Sequence, residues 1–188
     1  MMAITHRFKQ LLSFALLLLA VAWVSPVYAN DYGRHIVFAN EGYPKVRALN
    51  TVNERFLIGQ RQSIDSLVRE NFGRTLAQPG KGNMGLLQRI VDNKTIDRGD
   101  KKELQALGVV LGDIFVSKHK ILSWYVYEDE LGKTHAVCIK DSTHCLFPIT
   151  MLSRRMEVGL KPSVERIFNK GMDEISEFLP KVPYSGKK

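Results

Sequence analysis

Cys138 and Cys145 are the only two cysteines of the 188-residue chain, and the residues around them carry most of the chemistry its side chains offer. His135, Asp141 and His144 lie within a few positions of the pair. Such a set suits a catalytic thiolate, which needs a neighbouring imidazole to lower its pKa, or zinc, which needs about four converging Cys, His or carboxylate ligands. It also suits a disulfide, and inert free thiols are the remaining possibility. The local pattern favours the disulfide. Val137-Cys138-Ile139 and Cys145-Leu146-Phe147 read as short strands either side of the polar stretch Lys140-Asp141-Ser142-Thr143, a hairpin signal. In that register the cysteines face each other as a non-hydrogen-bonded pair, with Cα atoms ~4.5 Å apart, at the short end of what a disulfide accepts. Adjacent strand residues point to opposite faces, which keeps His144 and Cys145 from converging on one centre. No C-x-x-C or H-E-x-x-H spacing supports metal or redox chemistry, and no metal or cofactor is expected.

Carboxylates are the other candidates. Asp113, Glu128 or Asp129 would be the acid or base of a hydrolase, yet no paired-carboxylate or Ser-His-Asp pattern singles any of them out. Trp124, Tyr125 and Tyr127, with Asp113, form the expected contact surface if the chain is a binding module, since aromatic side chains combine apolar area with a polar tip.

The elements that must position these residues follow from hydrophobic periodicity. Leu57, Ile64, Leu67, Val68 and Phe72 lie along one side of an amphipathic helix from about Thr51 to Phe72, with Asn50 or Thr51 to cap it and Gly73 to end it. The stretch Pro79-Gly80-Lys81-Gly82-Asn83 is a connector, because the G-x-x-x-x-G-K-[ST] phosphate-loop spacing is absent. A second helix carries Leu86, Leu87, Ile90 and Val91. Asp100 and Glu103 form a variant capping box for a third, which turns Leu104, Leu107, Leu111, Ile114 and Phe115 to the core. Gly108 and Gly112 sit four apart on that helix, each costing ~1 kcal/mol of propensity relative to alanine, and they predict the close approach of another backbone.

From Leu122 the period changes to two. Leu122, Trp124 and Val126 alternate with Ser123, Tyr125 and Tyr127, predicting a strand. Residues 128–133 then form a turn, 134–139 a second strand and 145–147 a third, with Pro148 as its stop or edge marker. One face of this meander is expected on the helices and the other partly open. Thr150 is the expected cap of a short helix ended by Gly159. Pro162 opens a last helix whose stripe runs through Val164, Ile167, Phe168, Met172, Ile175, Phe178 and Leu179.

The first thirty residues have a different character. Arg7 and Lys9 precede the apolar run Leu11–Val24, and Val27-Tyr28-Ala29 follows Ser25-Pro26. This is the order of a secretory signal peptide, with cleavage expected between Ala29 and Asn30. A membrane anchor would need ~20 apolar residues, more than the run supplies. Export through the general secretory route to the periplasm or beyond is the expected destination, where paired cysteines persist. Removing residues 1–29 leaves 159 residues, and the formal charge of +8 falls to +6 because the leader carries two basic and no acidic residues. A basic balance in the cytoplasm would point to nucleic acid. Outside it, the anionic partners are envelope components or acidic proteins, so no nucleic-acid partner is expected.

Gln60-Arg61-Gln62, Leu86-Leu87-Gln88, the run from Glu103 through Leu107-Gly108-Val109-Val110-Leu111-Gly112-Asp113, then Trp124 and Phe147-Pro148 occur in an order that resembles a bacterial family catalogued as domain of unknown function 3806, over roughly Gln60 to Gly159. The resemblance implies one structural unit and no activity or catalytic residue. The expected fold is therefore α+β: N-terminal helices, a three-stranded antiparallel meander and a C-terminal helix packed on the same core. Residues 1–29 are the signal peptide, 30–50 an N-terminal extension, 51–180 the single domain and 181–188 a basic tail. The expected function is a non-enzymatic binding module of the cell envelope with an unknown envelope partner, the alternative being an envelope hydrolase with a carboxylate acid or base.

Overall fold

The computed structural model describes residues 42–77 and 82–179. The expected signal peptide, the Ala29–Asn30 cleavage site and the basic tail lie outside the described residues, as do residues 79–81 of the glycine-rich connector. Among the described residues nine elements follow in the order β1 (Lys45–Ala48), α1 (Thr51–Phe72), α2 (Met84–Asn93), α3 (Lys101–Lys118), β2 (Leu122–Asp129), β3 (Gly132–Ile139), β4 (Cys145–Leu146), α4 (Pro148–Glu157) and α5 (Val164–Ser176). The fold is α+β, with one antiparallel sheet of order β1-β2-β3-β4. The sheet has four strands rather than three. β1 comes from the stretch set apart as an extension, and its Lys45–Ala48 pairs with Glu128–Tyr125 of β2. A four-residue strand with one large apolar side chain leaves almost no periodic signal in sequence.

Local chemistry explains the helix ends. The Asn50 side chain accepts a hydrogen bond from the Asn53 backbone N–H at 3.0 Å, and Gly73 ends α1 at φ 63°, where a residue without Cβ meets no steric penalty. Asp100 caps α3 by accepting from Glu103 N–H. The Glu103 carboxylate does not return to close the capping box; it accepts instead from Ser63 Oγ at 2.9 and 2.7 Å, tying α3 to α1. Ser163 caps α5. Two boundaries differ from expectation at α4, which starts at Pro148 with Phe147 as its N-cap. Pro148 therefore opens a helix, where its missing N–H is harmless, and Thr150 sits inside the first turn with its Oγ1 donating to the Phe147 carbonyl. The β2–β3 turn is tighter than a six-residue loop: Asp129 pairs with Gly132, and Asp129 Oδ1 accepts from the Leu131 and Gly132 N–H groups.

Helix α3 is the centre of the described unit. It touches the four other described helices and both long strands, and Ala106 through Gly112 are buried without interruption. The two glycines make that position possible. A Cβ at Gly108 would come within 2.5 Å of the Ile149 Cα and 2.7 Å of the Pro148 carbonyl oxygen, and one at Gly112 would overlap the six-membered ring of Trp124. Backbone and indole thus occupy the space that side chains would need, the close approach predicted for this stripe.

Cross-strand partners share a face of the sheet. On the helix side stand Leu122, Trp124, Val126 and Glu128 of β2, facing Ile139, Val137, His135 and Lys133 of β3. The Leu122–Trp124 end is packed into the hydrophobic core together with Val137, Ile139 and Leu146. The other side carries Ser123, Tyr125 and Tyr127, with Cys138 and Cys145 opposite each other.

Candidate functional site

Three groupings hold the chemistry-bearing side chains. The first joins α1, α3 and β2. Arg61 donates to both Asp113 oxygens, Nε to Oδ2 and Nη2 to Oδ1, each at 2.7 Å, and the Trp124 indole N–H donates to Oδ1 at 2.9 Å. The fork geometry of guanidinium on carboxylate is the strong form of this pair. With three donors on one carboxylate, Asp113 is a structural acceptor that locks α1 and β2 onto the central helix. Trp124 was expected at a contact surface. It lies instead in the core at 9 % exposure, because the space over Gly112 accepts its ring and Asp113 satisfies its N–H.

The other carboxylate candidates are also held. Glu128 faces the Arg47 guanidinium at 3.0 Å and the Lys133 ammonium at 3.9 Å, and Asp129 organises its own turn.

The second grouping lies at the polar end of the helix-facing sheet surface. His135 Nε2 is 2.8 Å from Asn53 Oδ1, while Asn53 Nδ2 donates to Asn50 Oδ1 at 2.7 Å. Since the amide nitrogen is already turned to Asn50, the network assigns the His135 proton to Nε2 and leaves Nδ1 as the lone-pair nitrogen. Phe56 stacks on the ring, centroids 4.8 Å apart and planes within 9°. Burial lowers the His135 pKa below its ordinary value, because a half-enclosed imidazolium loses hydration.

The third grouping is the cysteine pair. Cys138 and Cys145 stand opposite in register with sulfurs 2.06 Å and Cα atoms 4.0 Å apart. Ile139 N–H donates to the His144 carbonyl next to them, consistent with the expected non-hydrogen-bonded pairing. The surrounding histidines do not join them. His135 belongs to the Asn53 network, His144 stacks on Phe178 with centroids 3.6 Å apart, and Asp141 occupies the exposed turn at φ 58°. Phe178, expected on the buried stripe of the last helix, lies beyond the end of α5 and is 47 % exposed. Among the described residues no three His, Cys, Asp or Glu side chains are grouped to hold a metal ion, and no helix is long and apolar enough to cross a membrane.

Tyr125 and Tyr127 are half-buried on the sheet side turned away from the Trp124 core, and Tyr127 meets the Phe147 ring edge-on at 5.0 Å. Of the four expected contact residues, these two alone reach a surface free of the Arg61–Asp113–Trp124 lock. Arg61, Asn53 and Phe56 were not singled out as site residues. Arg61 does stand in the Gln60-Arg61-Gln62 motif, and Arg61, Gly108, Gly112, Asp113, Trp124 and Pro148, scattered through the quoted motifs, converge around α3.

A crystal structure from Bacteroides thetaiotaomicron VPI-5482 has a similar fold, with a TM-score of 0.60 at 13 % identity over 69 % of this chain. The chain spans 47 % of that protein's length. No curated protein matches the chain. The family match covers residues 83–168, from the start of α2 into α5, leaving Arg61 outside and Asp113, Trp124, Phe147 and Pro148 inside. Residues 83–168 match the model of the family described as Domain of unknown function (DUF3806).

Proposed function

We propose that this protein is an exported, non-enzymatic binding module of the cell envelope, and that it engages its partner through the outer sheet face bearing Tyr125 and Tyr127. The carrying observation is the division of the sheet. One face is committed to the helices, while the other presents two half-buried tyrosines beside Phe147. Ala136 and Cys138 on that side are fully buried, so the rings and phenolic hydroxyls are what a partner meets. Tyrosine offers contact area at low entropic cost together with a hydrogen-bonding tip. The alternative, an envelope hydrolase with a carboxylate acid or base, needs a carboxyl group free to face a substrate. Asp113, Glu128 and Asp129 are each occupied in holding structure, which weighs against it. Export rests on the leader-like first 29 residues and accords with the paired cysteines.

Two measurements test this reading. Intact mass of the protein recovered from its native compartment, alkylated with and without reduction, is expected to begin at Asn30 and to take alkyl groups only after reduction. An unprocessed chain would remove the exported half of the proposal. For the surface, Tyr125→Ser/Tyr127→Ser is expected to keep the wild-type circular dichroism and to lose retention of envelope components on immobilised protein. Equal retention by the variant would dismiss this face.

A further inference from the structure

The polar end of the helix-facing sheet surface opens into a cleft of about 220 Å³ whose walls include Arg47, Asn50, Asn53, Lys133, Thr134 and His135. Register explains why they meet. Arg47, Val126 and His135 form one rung across β1, β2 and β3, and Lys45, Glu128 and Lys133 form the next. Two cations from the strands on either side of β2 thereby flank the apolar floor at Val126, while the first turn of α1 closes the side with amides. Three other clefts of the described residues are each lined by at least one carboxylate: Asp97 in one, Asp92 and Glu165 in another, and four acidic residues in the third. No carboxylate lines this one.

Glu128 stands on the same sheet face, on one rung with Lys133, and leans on both cations, at 3.0 Å from Arg47 and 3.9 Å from Lys133. It fixes their positions without consuming them. A guanidinium has five N–H donors and an ammonium three, and the set keeps a net positive charge. The imidazole is held in place on one side by the Phe56 ring and on another by Asn53.

We propose that this cleft binds an oxyanion group, phosphate or carboxylate, clamped between Arg47 and Lys133 with His135 completing the contacts. The volume is below the ~300–1,000 Å³ of pockets that enclose a drug-sized ligand, so it admits the charged group and leaves any larger body outside. The inference stands apart from the tyrosine face, which lies on the other side of the sheet. Binding is linked to protons. The charged groups facing His135 are Arg47 from β1, Glu128 from β2 and Lys133 from β3, while α1 presents only Asn50, Asn53 and Phe56. Burial opposes an imidazolium; an incoming anion favours it and gains an Nδ1–H donor. Affinity therefore rises as the pH falls.

The test uses the full chain and inorganic phosphate, followed through the His135 ring resonances at about pH 6 and about pH 8, either side of the ordinary imidazole range. A saturable shift is expected, tighter at the lower pH. Arg47→Gln/Lys133→Gln is expected to weaken it about tenfold or more, the value of losing charge-assisted hydrogen bonds. Lys133→Gln alone, on an exposed hairpin position, provides a variant whose folding is not at stake and is expected to weaken it in the same direction. Cosedimentation with phosphatidylglycerol vesicles, run in parallel, distinguishes a lipid headgroup from a free anion as the source. No saturable response to either probe, or a response identical in the double variant, would overturn the site, the latter outcome marking an adventitious ion only.

Discussion

Asp113 Oδ1 accepts from two elements at once, from Arg61 Nη2 at 2.7 Å on α1 and from Trp124 Nε1 at 2.9 Å on β2. The single carboxylate on α3 is thus the junction of helix layer and sheet. Asp113→Ala leaves a half-buried guanidinium and an indole N–H without their acceptor, and is expected to cost about 2–3 kcal/mol, discounted from the larger penalty of a fully enclosed pair because both partners keep some solvent. Urea unfolding measures it. A loss under ~1 kcal/mol would reduce the network to an ordinary surface ion pair.

The glycine stripe predicts a coupling. Gly112→Ala drives a methyl group into the Trp124 ring and is expected to destabilise by about 1–3 kcal/mol, the range for overpacking. Trp124→Phe removes the atoms that collide, so the double variant is expected to lose less than the sum of the singles. Gly108→Ala meets the backbone of Pro148 and Ile149, and no side-chain change on α4 should relieve it. Thermal unfolding of the five proteins separates the two cases.

Cys138 and Cys145 are seven positions apart, so the loop they close is short and its entropic contribution is bounded at about 2–3 kcal/mol. Cys138→Ala/Cys145→Ala is expected to lower stability by no more than that and to leave the far-UV spectrum intact, since β4 is two residues long and the core lies on the other face. Loss of the whole fold on reduction would contradict a merely local staple.

His135 makes stability depend on pH in a definite direction. Its folded pKa is below the 6.5 of the free imidazole, so between the two values the unfolded chain binds more protons. Stability is then complete above about 6.5 and declines as the pH falls through the window down to the folded pKa. His135→Gln, which retains a donor toward Asn53, is expected to flatten that part of the profile in urea melts at stepped pH. An unchanged slope would assign the dependence to other groups.

Much of this architecture was legible in the sequence because it is written locally. The limits of α1, its Asn50 and Gly73 ends, the Asp100 cap and the paired cysteines all follow from spacing over a few residues. What escaped depends on partners distant in the chain. Arg61 reads as one more charge on a polar helix face, and only its Asp113 partner, 52 residues away, makes it structural. Trp124 alternates correctly for a strand, but whether it faces a ligand or the core is decided by the absence of a Cβ at Gly112. The burial of α3 was underestimated for a related reason: an amphipathic stripe was expected, whereas packing on every side buries positions that periodicity leaves open. β1 was missed because four residues pairing on an edge need no pattern of their own.

The enclosed middle of α3 has a practical consequence. Seven consecutive residues from Ala106 to Gly112 have no solvent-facing side, and their amide protons can exchange with deuterated water only when the whole unit opens. Their exchange rates are therefore a direct gauge of global opening, and any ligand that prefers the folded chain must slow them in proportion to its occupancy. Those seven protons would register a partner on the tyrosine face or an anion beside His135 equally well, before either ligand has been identified.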